Sequence, residues 1–225
     1  MSVDLYDVMR TTFAARQFTN APVPEEALAR ILDHARFAPS GGNRQGNRVI
    51  IVREPRTKAA LAALAEPAAK RYAAQYAAGE GPWNPVTPTT VDAATIARTP
   101  APRMLTEPIK LAPVVLVVCV DLRAVAAMDQ FLPRIGLVAG ASVYPFVWNI
   151  LLAARNEGYG GTLTTLAIAE EPQVKALLGI PDEVAVCAVI PLGQPVQQFT
   201  RLKRRPVSEL AVRERWDGDP VEAPR

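Results

Sequence analysis

Apolar positions recur along the chain with two different periods, and the switches between those periods mark out its elements. Pro24-Glu25-Glu26 opens a helix, with proline in the first turn and acids facing the positive end of the helix dipole. Leu28, Ile31, Leu32 and Ala35 then recur at helical spacing and give that helix one apolar face. It is expected to end near Pro39, where Ser40-Gly41-Gly42-Asn43 forces a loop. Residues 48–52 are rich in β-branched side chains and predict a strand, and the alanine-rich 58–78 predicts a helix.

From residue 79 to 108 the periodicity collapses, broken by Pro82, Pro85, Pro88, Pro100, Pro102 and Pro108. An irregular stretch of that length is commonly a lid or binding segment, or else mobile. Residues 113–120 predict a buried central strand. The nearly uncharged 135–157 reads as one long helix, apolar on almost all sides, which belongs at the centre of the molecule or at a subunit interface. Gly158-Tyr159-Gly160-Gly161 stops it. A short strand at 162–166, a short helix at 171–178 and a strand at 184–191 follow. Beyond Gln194 the core pattern is lost: 195–216 reads as an arm and 217–225 as a frayed tail. Helices and strands are mixed without the alternation of a doubly wound sheet, and no GxGxxG follows a strand, so the expected fold is an α+β sandwich in a single domain over 1–216.

Composition adds limits. With 225 residues, 49% hydrophobic and 21% charged, the chain has a globular balance and can bury a sizeable core. The net charge is only +3, and the basic excess is local, at Arg201, Lys203, Arg204 and Arg205. A nucleic-acid binder would spread a basic stripe along a face, so this cluster points to a small anion. Met1-Ser2-Val3-Asp4-Leu5-Tyr6 has an early acid and no apolar signal-peptide core, and no segment approaches the run of about 18 apolar residues that a membrane span needs. The expected location is the cytoplasm. Cys119 and Cys187 lie in apolar runs and read as free thiols in a reducing compartment. The single histidine, His34, has no second ligand at metal-binding spacing, so no metal is expected.

Four separated segments carry candidate chemistry: residues 11–18 with Pro22-Val23-Pro24, residues 38–45, residues 140–145 leading to 158–165, and residues 201–206. Together they suit the parts of a planar, phosphate-tailed ring such as flavin mononucleotide. A phosphate dianion needs guanidinium forks and N–H groups, which Arg16, Lys203 and Arg204 can supply. The polar edge of the ring needs amides, for which Asn43 and Gln45 are suited. A chain passing close to a flat ring needs glycine, as at Gly41, Gly42, Gly160 and Gly161. A backbone N–H from Gly160 or Gly161 directed at flavin N5 would favour the reduced ring. Taken singly, each segment has an ordinary reading: a surface ion pair for Arg16, a plain loop, a helix cap, a solvated arm.

In order and character, the four segments resemble the FMN-dependent nitroreductase family over roughly residues 5–216. The opening motif of that family, Arg-Arg-Ser-x-Arg-x-Phe, falls on Thr12-Phe13-Ala14-Ala15-Arg16-Gln17-Phe18, where Arg16 and Phe18 match and Thr12, Phe13 and Ala14 depart. Ala-Pro-Ser-x-x-Asn-x-Gln is matched throughout residues 38–45, with Gly46-Asn47 where Pro-Trp is usual. Residues 140–145, 149–155 and 158–165 resemble a branch with Gly-Ala-Ser-x-Tyr-Pro and Gly-x-Gly-x-x-Leu-Thr-Thr. Arg204 before Arg205-Pro206 matches the C-terminal phosphate-binding arginine.

That resemblance implies a nitroreductase-like sandwich, a mainly antiparallel sheet flanked by helices, in a homodimer that exchanges C-terminal arms and holds FMN at the subunit interface. It implies cofactor contacts from Phe13, Ala14, Arg16, Pro39, Ser40, Gly41, Asn43, Gln45, Pro145, Gly160, Gly161, Leu163, Lys203 and Arg204. Acceptor contacts are expected from the segment 71–103, with Tyr72, Tyr76, Trp83 and the adjoining Met104 as roof candidates or else ordinary packing under a loop. The implied reaction is ping-pong, with NAD(P)H as co-substrate delivering hydride through flavin N5 to a nitroaromatic, quinone or activated alkene. No side chain is assigned as a catalytic acid or base. The altered N-terminal motif implies weaker FMN retention. Three alternatives stay open: a different flavin reaction, a flavin-binding protein without turnover, and a basic-armed interaction protein with no cofactor.

Overall fold

A strand buried on both faces organises the molecule: β2, Val114–Asp121. In this computed structural model, which describes residues 4–222, β2 pairs antiparallel with β1 (Asn47–Val52) on one side and with β4 (Val184–Gly193) on the other. β4 also pairs with the two-residue β3 (Gly160–Gly161), which completes a four-stranded antiparallel sheet in the order β1-β2-β4-β3. Residues 223–225, the end of the expected tail, lie outside the described residues, as do Met1, Ser2 and Val3.

Side chains alternate across a strand, so the unbroken apolar run of β2 feeds two cores. Val114, Leu116, Val118 and Val120 join Ala188, Ile190 and Leu192 against α2 (Glu25–Ala35) and α6 (Tyr144–Asn156). Val115, Val117 and Cys119 face the opposite layer, formed by α3 (Pro55–Ala77), α5 (Arg103–Leu111) and α7 (Glu171–Leu178). Full burial of each such aliphatic side chain contributes about 1.5–3 kcal/mol. The register slips between Val118 and Cys119: Val118 opposes Ala188, Cys119 opposes Val186, and Cys187 is the extra residue of a bulge. The α+β sandwich is therefore present.

Several elements differ from expectation. α6 begins only at Tyr144, not near residue 135. Pro145 sits in its first turn, where a missing N–H costs nothing. Upstream, the buried carboxylate of Asp129 accepts from Leu137 N at 2.7 Å and from Arg134 Nη1 at 2.8 Å, which fixes a loop where helix was expected. The stretch 79–108 is not structureless. It contains α4 (Ala93–Arg98), capped by Asp92 through Thr95 N at 2.8 Å, and the start of α5, where Pro102 stands at the N-terminal boundary. In place of the strand expected at 162–166 there is a single bridge between Thr164 and Val189, and the strand β3 lies just before it at Gly160–Gly161. α1 (Leu5–Thr11) had no periodic signal, because Leu5, Tyr6 and Met9 remain exposed. The start of the tail is tied back, with Val221 N donating to Ala211 O at 2.9 Å. Among the described residues no helix is long and apolar enough to cross a membrane.

Candidate functional site

Residues 12–19 run along the sheet edge and are held there by backbone bonds. Ala15 N donates to Gly161 O at 3.0 Å, Val196 N to Gln17 O at 3.1 Å, and Thr19 N to Gln194 O at 2.9 Å. This docking explains the two glycines of β3. A Cβ on Gly161 would lie 2.8 Å from Pro191 O, and one on Gly160 would lie 3.1 Å from Ala15 Cβ. Both glycines are buried in the sheet edge, and neither lines a cavity. Their need for glycine comes from packing, and the backbone that reaches open space is the next stretch, Thr162 to Leu166.

That stretch forms one wall of a cavity of about 740 Å³, within the range of small-molecule sites. Arg16, Leu163, Tyr72, Trp83 and Met104, all singled out from sequence, meet there. Tyr76 does not: it is exposed and lines neither this cavity nor its neighbour. Sequence reasoning missed Tyr144, Thr164 and Cys187 in the lining. Tyr144 and Thr164 stood inside motifs already recognised. Cys187 had no signal, because a bulge that re-aims one side chain leaves no trace in the pattern.

The chemistry of this lining is quiet. It contains no histidine or carboxylate. Burial pushes the Cys187 thiol up to about 12, and the neighbouring Cys119 and Glu171 push the same way, so it is a neutral thiol. Burial also raises the Tyr144 phenol, which stays a neutral hydrogen-bond donor. Arg16 is the one charged lining residue. Its guanidinium makes a single bond, from Nη1 to Ala14 O at 3.3 Å, and enters no ion pair among the described residues. A free guanidinium beside an apolar cavity is suited to an anion.

The roof is built rather than loose. Trp83 holds a φ of 56°, a left-handed conformation uncommon outside glycine. Its N–H donates to the buried Gln75 at 3.0 Å, its indole Nε1 donates to Ala68 O at 3.3 Å, and its ring centroid lies 4.3 Å from the Arg71 guanidinium. Glu80 clasps the following loop. Its carboxylate accepts from Thr89 Oγ1 at 2.6 Å, from Thr90 N and Oγ1 at 2.7 Å each, and from Gln75 Nε2 at 3.3 Å. These donors hold the Glu80 carboxyl down at about 2.

Other sequence-selected residues lie apart from the cavity. Pro39, Ser40, Gly41, Asn43 and Gln45 form a loop that leans on the turn before α6, with Gly41 N donating to Ser142 Oγ at 3.0 Å. Gly42, Asn43 and Gln45 all have left-handed φ, of 61°, 52° and 50°. Two non-glycine residues in that region within one loop are a strained arrangement of the kind that clusters at ligand clamps. The departure at Gly46-Asn47 has a local cause. A Cβ at 46 would meet Ala124 Cβ at 2.5 Å, and Asn47 Nδ2 donates to Ser142 O at 2.9 Å. Pro145 serves the helix start. Lys203 and Arg204 are exposed on the arm, where, among the described residues, the Arg204 guanidinium bonds only the carbonyl of Lys203. Phe13 and Ala14 line a second, adjoining cavity.

An antiparallel sheet between two helical layers, with a largely apolar small-molecule cavity and a free guanidinium at its wall, defines the class of protein. Residues 9–194 match the Nitroreductase family, and the chain belongs to that family. A relative named NADH dehydrogenase from Thermus thermophilus is 29% identical, covering 88% of this chain and 89% of its own length. Among solved structures, an oxidised iodotyrosine deiodinase bound to FMN and 3-iodo-L-tyrosine superposes with a TM-score of 0.68 at 22% identity, covering 94% of this chain and 99% of its own. The NADPH:FMN oxidoreductase of Vibrio harveyi complexed with NAD+ gives 0.65 at 19% identity, covering 95% and 78%. These likenesses establish the shared fold.

Proposed function

We propose that this chain is an FMN-dependent oxidoreductase in which residues 1–216 act as one flavin-binding domain. The observation that carries the proposal is the meeting of Arg16, free of any ion pair among the described residues, with the Thr162 to Leu166 wall in one apolar cavity. The donor set fits the cofactor. A guanidinium suits the phosphate, and the apolar wall and the Trp83 roof suit a flat ring. Bound there, FMN would supply two-electron chemistry between NAD(P)H and an organic acceptor such as a nitroaromatic, quinone or activated alkene, in ping-pong alternation.

The protein residues supply position and exclusion of water. Leu163, Met104 and Trp83 present apolar surface, and the neutral Cys187 and Tyr144 neither add charge nor take a proton near neutral pH. Such a lining suits hydride transfer, in which geometry matters more than acid–base catalysis. The 39–45 loop and the 201–206 cations line neither cavity of their own chain. We infer that they serve the site of a second copy, in a homodimer with exchanged arms. The exposed Tyr144 and Trp148, one turn apart on α6, offer an apolar face for it.

Reconstitution with FMN, followed by quenching of flavin fluorescence, tests the site. Loss of one charge-assisted phosphate contact should weaken binding about 10- to 100-fold, so Arg16→Gln is expected to raise the FMN Kd by that factor. Folded protein without affinity for FMN, or a variant that binds as tightly as the wild type, contradicts the proposal. Acceptor profiling with a nitroarene, a quinone and an enone then sorts the acceptor class.

A further inference from the structure

One guanidinium beside the roof has no acceptor. Arg71 stands in α3 between Ala68 and Tyr72, which both line the cavity under Trp83, but Arg71 itself does not line it. Its Nε is buried without a hydrogen-bond partner among the described residues. No carboxylate among those residues forms an ion pair with it. The guanidinium instead lies 4.3 Å from the ring centroid of Trp83, which does line the cavity. A buried donor with no acceptor carries its full desolvation cost, and an aliphatic side chain of similar length would fill the space without it. Stability therefore does not explain an arginine at this position. Contact with the Trp83 ring does.

We infer that Arg71 is a positioning residue, which holds the Trp83 ring as a fixed plate over the cavity and so sets acceptor affinity without touching the acceptor. This rests on the reading of that cavity as the acceptor site. The tryptophan has three holds of unequal strength. Its backbone is fixed by Trp83 N, which donates to the buried Gln75 at 3.0 Å. Its edge is tied by Nε1, which donates to Ala68 O at 3.3 Å, longer than the usual N–H···O separation of about 2.9–3.0 Å. Neither bond acts on the face of the ring, and Trp83 is 41% exposed, so the face contact with Arg71 supplies the remaining restraint. A planar cation stacked on an indole is well suited to that task. A role as an anion anchor fits less well, because the unpartnered Nε–H is sealed from solvent.

Hydrogen exchange at the Trp83 indole N–H, read by NMR on the full chain with and without added FMN, tests the hold directly. The chain has 3 tryptophans, and Trp83→Phe assigns the signal. A cation stacked on an aromatic ring is worth a factor of about 2 to 30, so Arg71→Met should speed that exchange by about this factor. Arg71→Lys keeps a cation and should recover part of the protection. The backbone amides of β2 should exchange as in the wild type, and the Tm should not fall, since the orphaned donor is gone. In the FMN-loaded protein, Arg71→Met is expected to raise the KM for a quinone at least about twofold and to leave kcat within about twofold. Indole exchange or acceptor KM that ignores Arg71→Met overturns the inference, as does an equal loss of protection in Arg71→Met and Arg71→Lys. A lower Tm with faster exchange throughout β2 would make Arg71 a general stabiliser and overturn it too. The exchange is read without turnover, so an Arg71-dependent Trp83 in a protein with no FMN affinity would sink the proposed function alone. Turnover by an FMN-loaded protein whose Trp83 is indifferent to Arg71 would sink this inference alone.

Discussion

Two carboxylates set the order of the loops around the site, and both are held low by their donors. Glu80 stands at about 2 because Thr89, Thr90 and Gln75 all bond its charged form, and Asp129 stands at about 2 because Leu137 N, Arg134 and Val138 N do the same. A carboxyl whose pKa falls on folding adds stability that is fully present above its unfolded value and is lost as pH drops through its folded value. The roof should therefore be intact at neutral pH and loosen only between about 4.5 and about 2. Glu80→Gln should loosen it at pH 7, with faster amide exchange at Trp83 and Thr90 and a lower Tm. Wild-type protection at both amides in that variant would show that Glu80 does not hold the roof. Arg16, Trp83, Met104 and Leu163 were legible in the sequence, because each stands in or beside a recognisable segment and meets the others in one cavity. Cys187 was not, since its position depends on a bulge set by pairing between distant strands. The need for glycine at 160 and 161 was legible, while the packing against Pro191 O and Ala15 that requires it comes from strand pairing and could not be read from the pattern.

Between elements, close contacts at glycine fix how the N-terminal segment reaches the cavity. A methyl at 161 would meet Pro191 O at 2.8 Å and both Ile190 and Leu151 at 3.2 Å, in a region with no room to relax. Overpacking of that kind costs about 1–3 kcal/mol. Gly161→Ala should lower stability by that amount in chemical denaturation and displace Ala15 from its bond to Gly161 O, weakening flavin retention as well. A variant as stable as wild type would show that β3 can shift freely. At this scale the sequence was most readable where one period ran long. β1, β2, β4 and α2 follow from β-branched runs and a clean helical face. α6 was overextended because the apolar run 135–157 continues past the residues that stop the helix, and only the bonds to Asp129 reveal the stop. α1 buries little beyond Val8 and Thr11, so it has no apolar stripe to read.

The whole molecule carries apolar surface that one copy does not cover. Tyr144 and Trp148 on α6 are 46% and 43% exposed, while Phe131 and Leu137 in the preceding loop reach 89% and 68%. Patches of this kind mark interaction sites. Trp148→Glu is expected to shift the protein from dimer to monomer in light scattering and to lower its bound flavin in parallel. A monomer that retains a full flavin complement would show that one copy completes the site alone. The altered N-terminal motif adds a second expectation at this scale. The hydroxyls of Thr11 and Thr12 are bonded to Asp7 O and Val8 O, and Ala14 has none to offer, so in the proposed site Arg16 is the one side chain of that segment left for a phosphate. FMN should therefore be partly lost on dialysis, and protein that keeps its full complement would contradict this. The most direct test of a hydride-transferring flavoprotein is anaerobic titration of the FMN-loaded protein with NADH and then NADPH, followed at the visible flavin bands. Bleaching to completion at one equivalent of at least one nicotinamide is predicted; a yellow spectrum unchanged by an excess of both would contradict it.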